Sequence, residues 1–291
     1  MLFERLAIIG IGLIGSSITR GAMAHELAGT IVISDASPSA LRRAAELELG
    51  DVYEADPAKA VAGADCVILC APVGTYAVLA EIIGPHLKPG AILSDVGSTK
   101  VSVVRDVTPF VPAGVSFIPG HPVAGTEFSG PESGLVDLFK GRWCLLTPAS
   151  DADETAVQKI EVLWQRLGAL TARMEPAHHD RVLAIVSHLP HLIAFTICGT
   201  ADDLADETRQ EVLQFAASGF RDFTRIAASD PVMWRDIFLN NKEALLEMLA
   251  RFSEDAQAMA RAVRWGDTAY IEDKIIRSRK IRQSLIELKQ A

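Results

Sequence analysis

The stretch AIIGIGLIGSS, residues 7–17, places Gly10, Gly12 and Gly15 in a Gly-x-Gly-x-x-Gly pattern directly behind a short apolar run. Gly10 permits a tight turn, Gly12 lets the backbone approach a pyrophosphate, and Gly15 lets the following helix pack closely on the strand. That helix begins at Leu13 and Ile14, whose free N–H groups and positive dipole end suit phosphate oxygens. The pattern alone is weak, but its context is right: a strand before, a helix after, and Asp35 closing the next strand, 20 positions beyond Gly15. A carboxylate there accepts hydrogen bonds from the adenosine ribose hydroxyls and repels a 2′-phosphate. Because DASPS brings no arginine directly after Asp35, NAD is expected over NADP. The plainer alternative makes the glycines an ordinary turn and Asp35 a cap for the helix PSALRRAAEL.

Outward from this motif, short β-branched runs alternate with helical patterns as far as residue 174. Strands are expected at 5–10, 30–35, 65–70, 91–95, 115–119, 143–147 and 169–174, with helices such as SPSALRRAAELELG and ADETAVQKIEVLWQRLG between them. This spacing predicts an α/β, doubly wound, mostly parallel sheet. CAPVG (70–74), carrying Ala71, Pro72 and Val73, should form a second loop over the cofactor at the carboxyl edge of that sheet. After Pro176 no strand pattern remains, and a period near 3.6 takes over. In the last segment Ile271, Ile275, Ser278, Ile281, Leu285 and Leu288 recur at three- and four-residue steps. Two domains are therefore expected, 1–174 and an all-helical 175–291.

The bulk numbers agree with an ordinary soluble globular protein. Of 291 residues, 49% are hydrophobic and 22% charged, enough for a real core and a solvated surface. A net charge of -9 argues against nucleic acid or an anionic membrane as partner. Cys66, Cys70, Cys144 and Cys198 form no CxxC pair and read as reduced thiols of a cytoplasmic protein. The N-terminal apolar run is broken by glycines and no cleavage-like site follows, so it is not read as a signal segment; no other stretch reaches the roughly 18 uninterrupted apolar residues of a membrane span.

FIPGHPVAGTEFSG (117–130) holds His121 between Gly120 and Pro122, in a backbone whose glycines and prolines read as neither helix nor regular strand. Alone, such a histidine is more often a packing or turn residue. Ser98 in DVGSTK, His188 and His191 in SHLPH, and Arg225 in FTRIAASDPVMW are further polar candidates beside glycine, proline or apolar neighbours. His188 and His191 lack a third ligand at matching spacing, and Pro190 is expected to break the turn between them, so no metal is expected.

Taken as a set, GIGLIGSS, DVGSTK, GHPVAGTE, HHD…SHLPH and GFRDFTRIAASDPVMWRDI resemble the prephenate/arogenate dehydrogenases of tyrosine biosynthesis, in order and from about residue 5 to 285. The resemblance implies a Rossmann-type domain followed by a helical dimerisation domain, a homodimer, and an active site in the cleft between the domains. It implies His121 as the catalytic histidine on the 4-hydroxyl of a cyclohexadienyl ring, with Ser98 between that hydroxyl, the histidine and the nicotinamide. Arg225 would clamp a substrate carboxylate and His191 would help bind the substrate. Thr126 and Glu127 match a loop that gates the pocket, Arg221 and Trp234 match positions at the substrate's side-chain end, and His179-Asp180 matches a structural element. Some members of the family carry a fused chorismate mutase helix or an ACT domain; because the chain opens directly on the Rossmann strand and ends near the last dimerisation helix, neither is expected here, and any tyrosine feedback would act at the active site.

The implied chemistry is oxidative decarboxylation: hydride goes to NAD⁺, His121 takes the hydroxyl proton, and loss of CO₂ restores aromaticity. An acid limb near the ordinary histidine pKa of about 6.5 is expected. Two competing readings remain. A β-hydroxyacid-type dehydrogenase would need a catalytic lysine where SHLPHLIAF offers none, and an inactive NAD sensor would need no Ser98, His121 and Arg225 together.

Overall fold

The computed structural model describes residues 1–126 and 128–288. They fall into a compact unit Met1–Lys242 and a second that begins at Glu243. Within the first, strands β1 (Phe3–Ile9), β2 (Ala28–Ser34), β3 (Val52–Tyr53), β4 (Cys66–Leu69), β5 (Ile92–Asp95) and β6 (Ser116–Ile118) form a parallel sheet in the order β3-β2-β1-β4-β5-β6. The order reverses between β1 and β4, which is where an open α/β sheet leaves a crevice at its carboxyl edge.

Side-chain alternation along β1 shows why both faces are covered. Leu6 and Ile8 join a core with Ile31, Ile33, Ile68, Phe139 and Trp164, while Ala7 and Ile9 join another with Val32, Val67, Leu69 and Tyr76. Period-two alternation with apolar residues on both sides is the signature of a parallel sheet sandwiched by helices.

A smaller sheet follows: β7 (Gly120–Pro122), β8 (Trp143–Leu146) and β9 (Leu170–Arg173), in that order. The expected strands around residues 143–147 and 169–174 are thus present but stand apart from the main sheet. β7 corrects the reading of GHP as irregular. It pairs antiparallel with β8, His121 opposite Leu145 and Pro122 opposite Cys144. A strand three residues long on a sheet edge tolerates its terminal proline, because few ladder donors are needed there.

Beyond Arg173 the described residues form only helices and turns. Pro176–Leu183, a π turn at Ala184–His188 and Leu189–Asp202 make one continuous helical run. Pro190 sits in the first turn of the last piece, so it does not interrupt the chain between His188 and His191 as expected. The widened turn before it accommodates the missing N–H. By length and composition alone the run Pro176–Asp202 is long and apolar enough to cross a membrane. It nevertheless buries His179, Asp180 and His188.

The second unit contains most of Lys242–Trp265 and all of Thr268–Glu287. Gly266, at φ 68°, makes the turn between these helices, and the Asp267 carboxylate caps the second by accepting the Tyr270 N–H at 3.0 Å. Ile275, Ile276, Ile281, Leu285 and Ile286 of that helix are exposed.

Candidate active site

The glycine turn has the geometry its spacing predicts. Gly10 takes φ 102°, and a Cβ there would come within 2.7 Å of the Ala71 nitrogen, so the turn and the CAPVG loop lie against each other. A Cβ on Gly15 would collide with the Gly10 carbonyl. At Gly12 the same atom would meet no protein atom within 4 Å, and no side chain caps the helix Leu13–Ala24. Open space in front of uncapped N–H groups fits a dinucleotide pyrophosphate. Asp35 accepts the Ile11 N–H at 2.9 Å and the Ser37 N–H at 2.8 Å. Ser37, rather than Asp35, caps the helix Pro38–Glu46. Of the loop residues, Ala71 and Pro72 keep surface, whereas the Val73 side chain packs into the core. Gly74, next along, faces Asp236: an added Cβ would lie 2.8 Å from the Asp236 carboxyl carbon.

At the end of β5, Asp95 and Lys100 form a fully buried ion pair. Asp95 also accepts the Gly97 N–H at 2.7 Å and the Gly120 N–H at 3.1 Å, and the Lys100 ammonium donates to the Gly120 carbonyl at 2.7 Å. Gly120 is therefore held through both of its backbone groups, and it immediately precedes His121. Burial pushes the Asp95 carboxyl up and the Lys100 ammonium down, each opposed by the partner's charge. Ser98, half-buried, lies in the loop between these two residues.

His121 is 7% exposed. Its Nδ1 is 2.9 Å from His179 Nε2, and the two rings meet edge to face. His179 Nδ1 is in turn 2.8 Å from Asp180 Oδ1. The same carboxylate accepts the Lys100 N–H at 2.7 Å and the Val101 N–H at 2.9 Å. Asn241 donates to the Asp180 carbonyl at 2.8 Å and to His188 Nδ1 at 2.9 Å. His188 Nε2 and Trp234 Nε1 are buried without a hydrogen-bond partner. His191 stacks on Trp234 with centroids 3.7 Å apart and donates Nδ1–H to the Ser187 carbonyl at 2.9 Å.

Among the expected residues, His121, His191, Trp234 and the Ser98 loop converge here. Arg225 sits on the turn Arg225–Ala228, exposed, yet close enough to His191 to lower its pKa. Thr126 is exposed and accepts the Phe128 N–H, and Arg221 is exposed beside Asp222. Both lie on segments that single-chain contacts leave at the surface. Glu127 lies outside the described residues. Reading from the sequence missed Lys100, Asn241 and the contact of His179 with His121. Only a lysine inside the otherwise small and polar DVGSTK, and an Asp directly after His179, could have hinted at them.

Burial keeps the histidines neutral. His121 falls well below the ordinary value, by burial first and then by repulsion from His179, Lys100 and His188. His188 is pushed down to about 4, chiefly by burial, with the Asp180 carboxylate acting against it. His179 and His191 are lowered by burial as well. The unfolded chain thus binds more protons than the folded one once pH drops below about 6.5. Stability is expected to be level above that pH and to fall steadily between 6.5 and 4. His188 alone accounts for roughly 3 kcal/mol across that range. Thermal unfolding at stepped pH checks this; a melting temperature unchanged from pH 7 to 4.5 would contradict it. Among the described residues no group of three His, Cys, Asp or Glu side chains is arranged to hold a metal ion.

Known proteins resemble this chain in sequence and fold. Residues 20–172 match the family model described as prephenate dehydrogenase, nucleotide-binding domain, and residues 175–275 match prephenate dehydrogenase, dimerization domain. The cyclohexadienyl dehydrogenase of Zymomonas mobilis is 38% identical over 284 residues, 98% of this chain and 97% of that protein. The prephenate dehydrogenase of Bacillus subtilis is 34% identical over 252 residues, 86% of this chain and 67% of that protein. A crystal structure of prephenate dehydrogenase from A. aeolicus, in complex with hydroxyphenyl propionate and NAD⁺, aligns with a TM-score of 0.88 at 31% identity, covering 97% of this chain and 98% of that one. With both halves matched in order and the Zymomonas mobilis relative alike over nearly its whole length, the chain belongs to the prephenate dehydrogenase family.

Proposed function

We propose that this chain catalyses the NAD⁺-dependent oxidative decarboxylation of prephenate, arogenate or both, with His121 as the general base. The observation that carries the assignment is a buried, neutral His121 beside the carboxyl edge of a dinucleotide-type sheet, its Nδ1 already bonded to His179. Bound NAD⁺ supplies the two-electron acceptor. Gly10, Gly12, Leu13, Ile14, Gly15, Asp35 and the backbone of 71–73 would hold it, since the turn leaves room at Gly12 and the helix end is uncapped. His121 takes the ring hydroxyl proton as the oxygen becomes a carbonyl, and Ser98, in the adjoining loop, orients that hydroxyl. The ring then loses CO₂ and becomes aromatic, which makes the reaction one-directional.

Binding falls to the other side of the cluster. His191, with Nδ1–H committed to Ser187, presents Nε2 as an acceptor. The unpartnered N–H of Trp234 is a donor awaiting an oxygen atom; it costs about 1–3 kcal/mol while unmet, which a carboxylate-rich substrate would recover, whereas the His188 ring lies against the Ser98 backbone. Arg225 clamps a substrate carboxylate. Because Arg225 is exposed, its contribution belongs at the low end for a charge pair. Arg225→Ala is expected to raise KM by about 30-fold, near 2 kcal/mol, with kcat within a few-fold. An unchanged KM would remove Arg225 from the site.

We further assign residues 1–174 to cofactor binding and 175–291 to a helical half that completes the substrate site and pairs two copies in the cytoplasm. Exposed Ile275, Ile276, Ile281 and Leu285 support the pairing, and sedimentation of the intact chain tests it. Steady-state kinetics with prephenate and arogenate, each with NAD⁺ and NADP⁺, tests the activity; no turnover of either would overturn the assignment.

A further inference from the structure

The hydrogen bonds behind His121 have only one consistent set of proton positions. Asp180 accepts two backbone N–H groups, from Lys100 on Oδ1 and from Val101 on Oδ2, so it acts as an acceptor at both oxygens. An ionised carboxylate has no proton to give. The third group on it, His179 Nδ1, must therefore be the N–H. In a neutral imidazole the other nitrogen is then a lone pair, which makes His179 Nε2 an acceptor. His121 Nδ1, 2.9 Å away, must be the donor to it. Nε2 of His121 is left as the lone pair. One carboxylate thus fixes the tautomers of two rings, the second of them 59 residues away in the chain.

We infer that Asp180 and His179 are positioning residues for catalysis: they hold His121 in the Nδ1–H tautomer and take up part of the positive charge that forms when Nε2 receives the substrate proton. The inference rests on the reading of His121 as the base, and deepens it. In the step, the substrate O–H bond breaks and an Nε2–H bond forms; the O–H electron pair becomes part of the new carbonyl as the C–H bond on the same carbon breaks, its electron pair leaving as the hydride that NAD⁺ would accept. The resulting imidazolium keeps Nδ1–H in its bond to His179, whose own N–H points to Asp180. Charge is therefore passed along oriented dipoles toward a carboxylate, as when a carboxylate orients a catalytic histidine from behind. Other titratable groups around His121 work in the opposite sense or are uncharged. Lys100 holds the preceding Gly120, His188 repels the cation, Cys144 on β8 is a thiol kept protonated by burial, and Asp95 is already paired with Lys100.

The test begins with the unmodified enzyme. Uniformly ¹⁵N-histidine-labelled protein, examined by long-range ¹H–¹⁵N correlation at neutral pH, is expected to show His121 and His179 both protonated on Nδ1, with His121→Asn and His179→Gln supplying the assignments. A His121 protonated on Nε2 would overturn the inference without any variant having to fold. Kinetics give the second arm. Glutamine at 179 can still accept from His121 Nδ1, whereas phenylalanine cannot. His179→Phe is expected to lower kcat by about 10²–10³, and His179→Gln by about tenfold, with KM within a few-fold in both. Equal losses in the two variants, in step with their melting temperatures, would reduce His179 to a packing role and overturn the inference. The underlying reading fails separately: normal turnover by His121→Asn would sink the base assignment while leaving the measured tautomers as they are.

Discussion

His121→Asn is expected to lower kcat by about 10²–10⁴, the range for loss of a general base, with NAD⁺ affinity unchanged. Asparagine can keep a hydrogen bond toward His179 but has no basic nitrogen to receive the hydroxyl proton. The glycine turn packs on Cys70 and Ala71, Asp35 bonds to Ile11 and Ser37, and His121 bonds to His179, so cofactor binding should not register the change. The same residue governs the pH profile. Activity requires the neutral ring, and burial lowers its pKa well below the ordinary value. The acid limb of kcat/KM, which reports the free enzyme, is therefore expected below pH 6.5 and not near it as the isolated residue would suggest. Rate should hold from pH 8 through 6.5 and fall only on further acidification. A limb centred at 6.5 or higher would mean that the titrating group is another one.

Lys100→Met is expected to cost about 3–5 kcal/mol of folding stability, the range for removing one partner of a buried ion pair. The loss is large because two groups are left without their counter-charge or donor: the Asp95 carboxylate, fully buried, and the Gly120 carbonyl. Asp95 would escape by taking up a proton, so the deficit should shrink as pH falls. Adding Asp95→Asn should recover part of it, since the uncompensated charge disappears with its partner. Urea midpoints of the two single variants and the double variant measure this. A loss under 1 kcal/mol for Lys100→Met would mean that water reaches the carboxylate.

Much of the nucleotide half is legible in the sequence because its constraints are local. Gly10, Gly12, Gly15 and Asp35 act within a few residues of where they stand, and β1 and β2 announce themselves by composition. The substrate half is harder. His121 looks irregular because Gly120 and Pro122 argue against a strand, and β7 exists only through its pairing with β8, more than 20 residues on. His179 reads as structural because the ring it serves lies 58 residues earlier, and nothing local connects them. Lys100 carries no periodic or motif signal for burial; its partner, five residues back, lies at the end of a strand that the loop must fold over. Tertiary pairing, not propensity, placed these groups.

Gly74 has a practical consequence for anyone rebuilding this enzyme. Its missing side chain is the clearance between the CAPVG loop and Asp236, and Asp236 belongs to the same helix, Pro231–Asn240, as Trp234. Grafting a nucleotide loop from another dehydrogenase would have to preserve that gap. Any larger residue would have to push the Asp236 carboxylate aside, so a change meant only to alter cofactor choice would reach the helix that stacks Trp234 on His191.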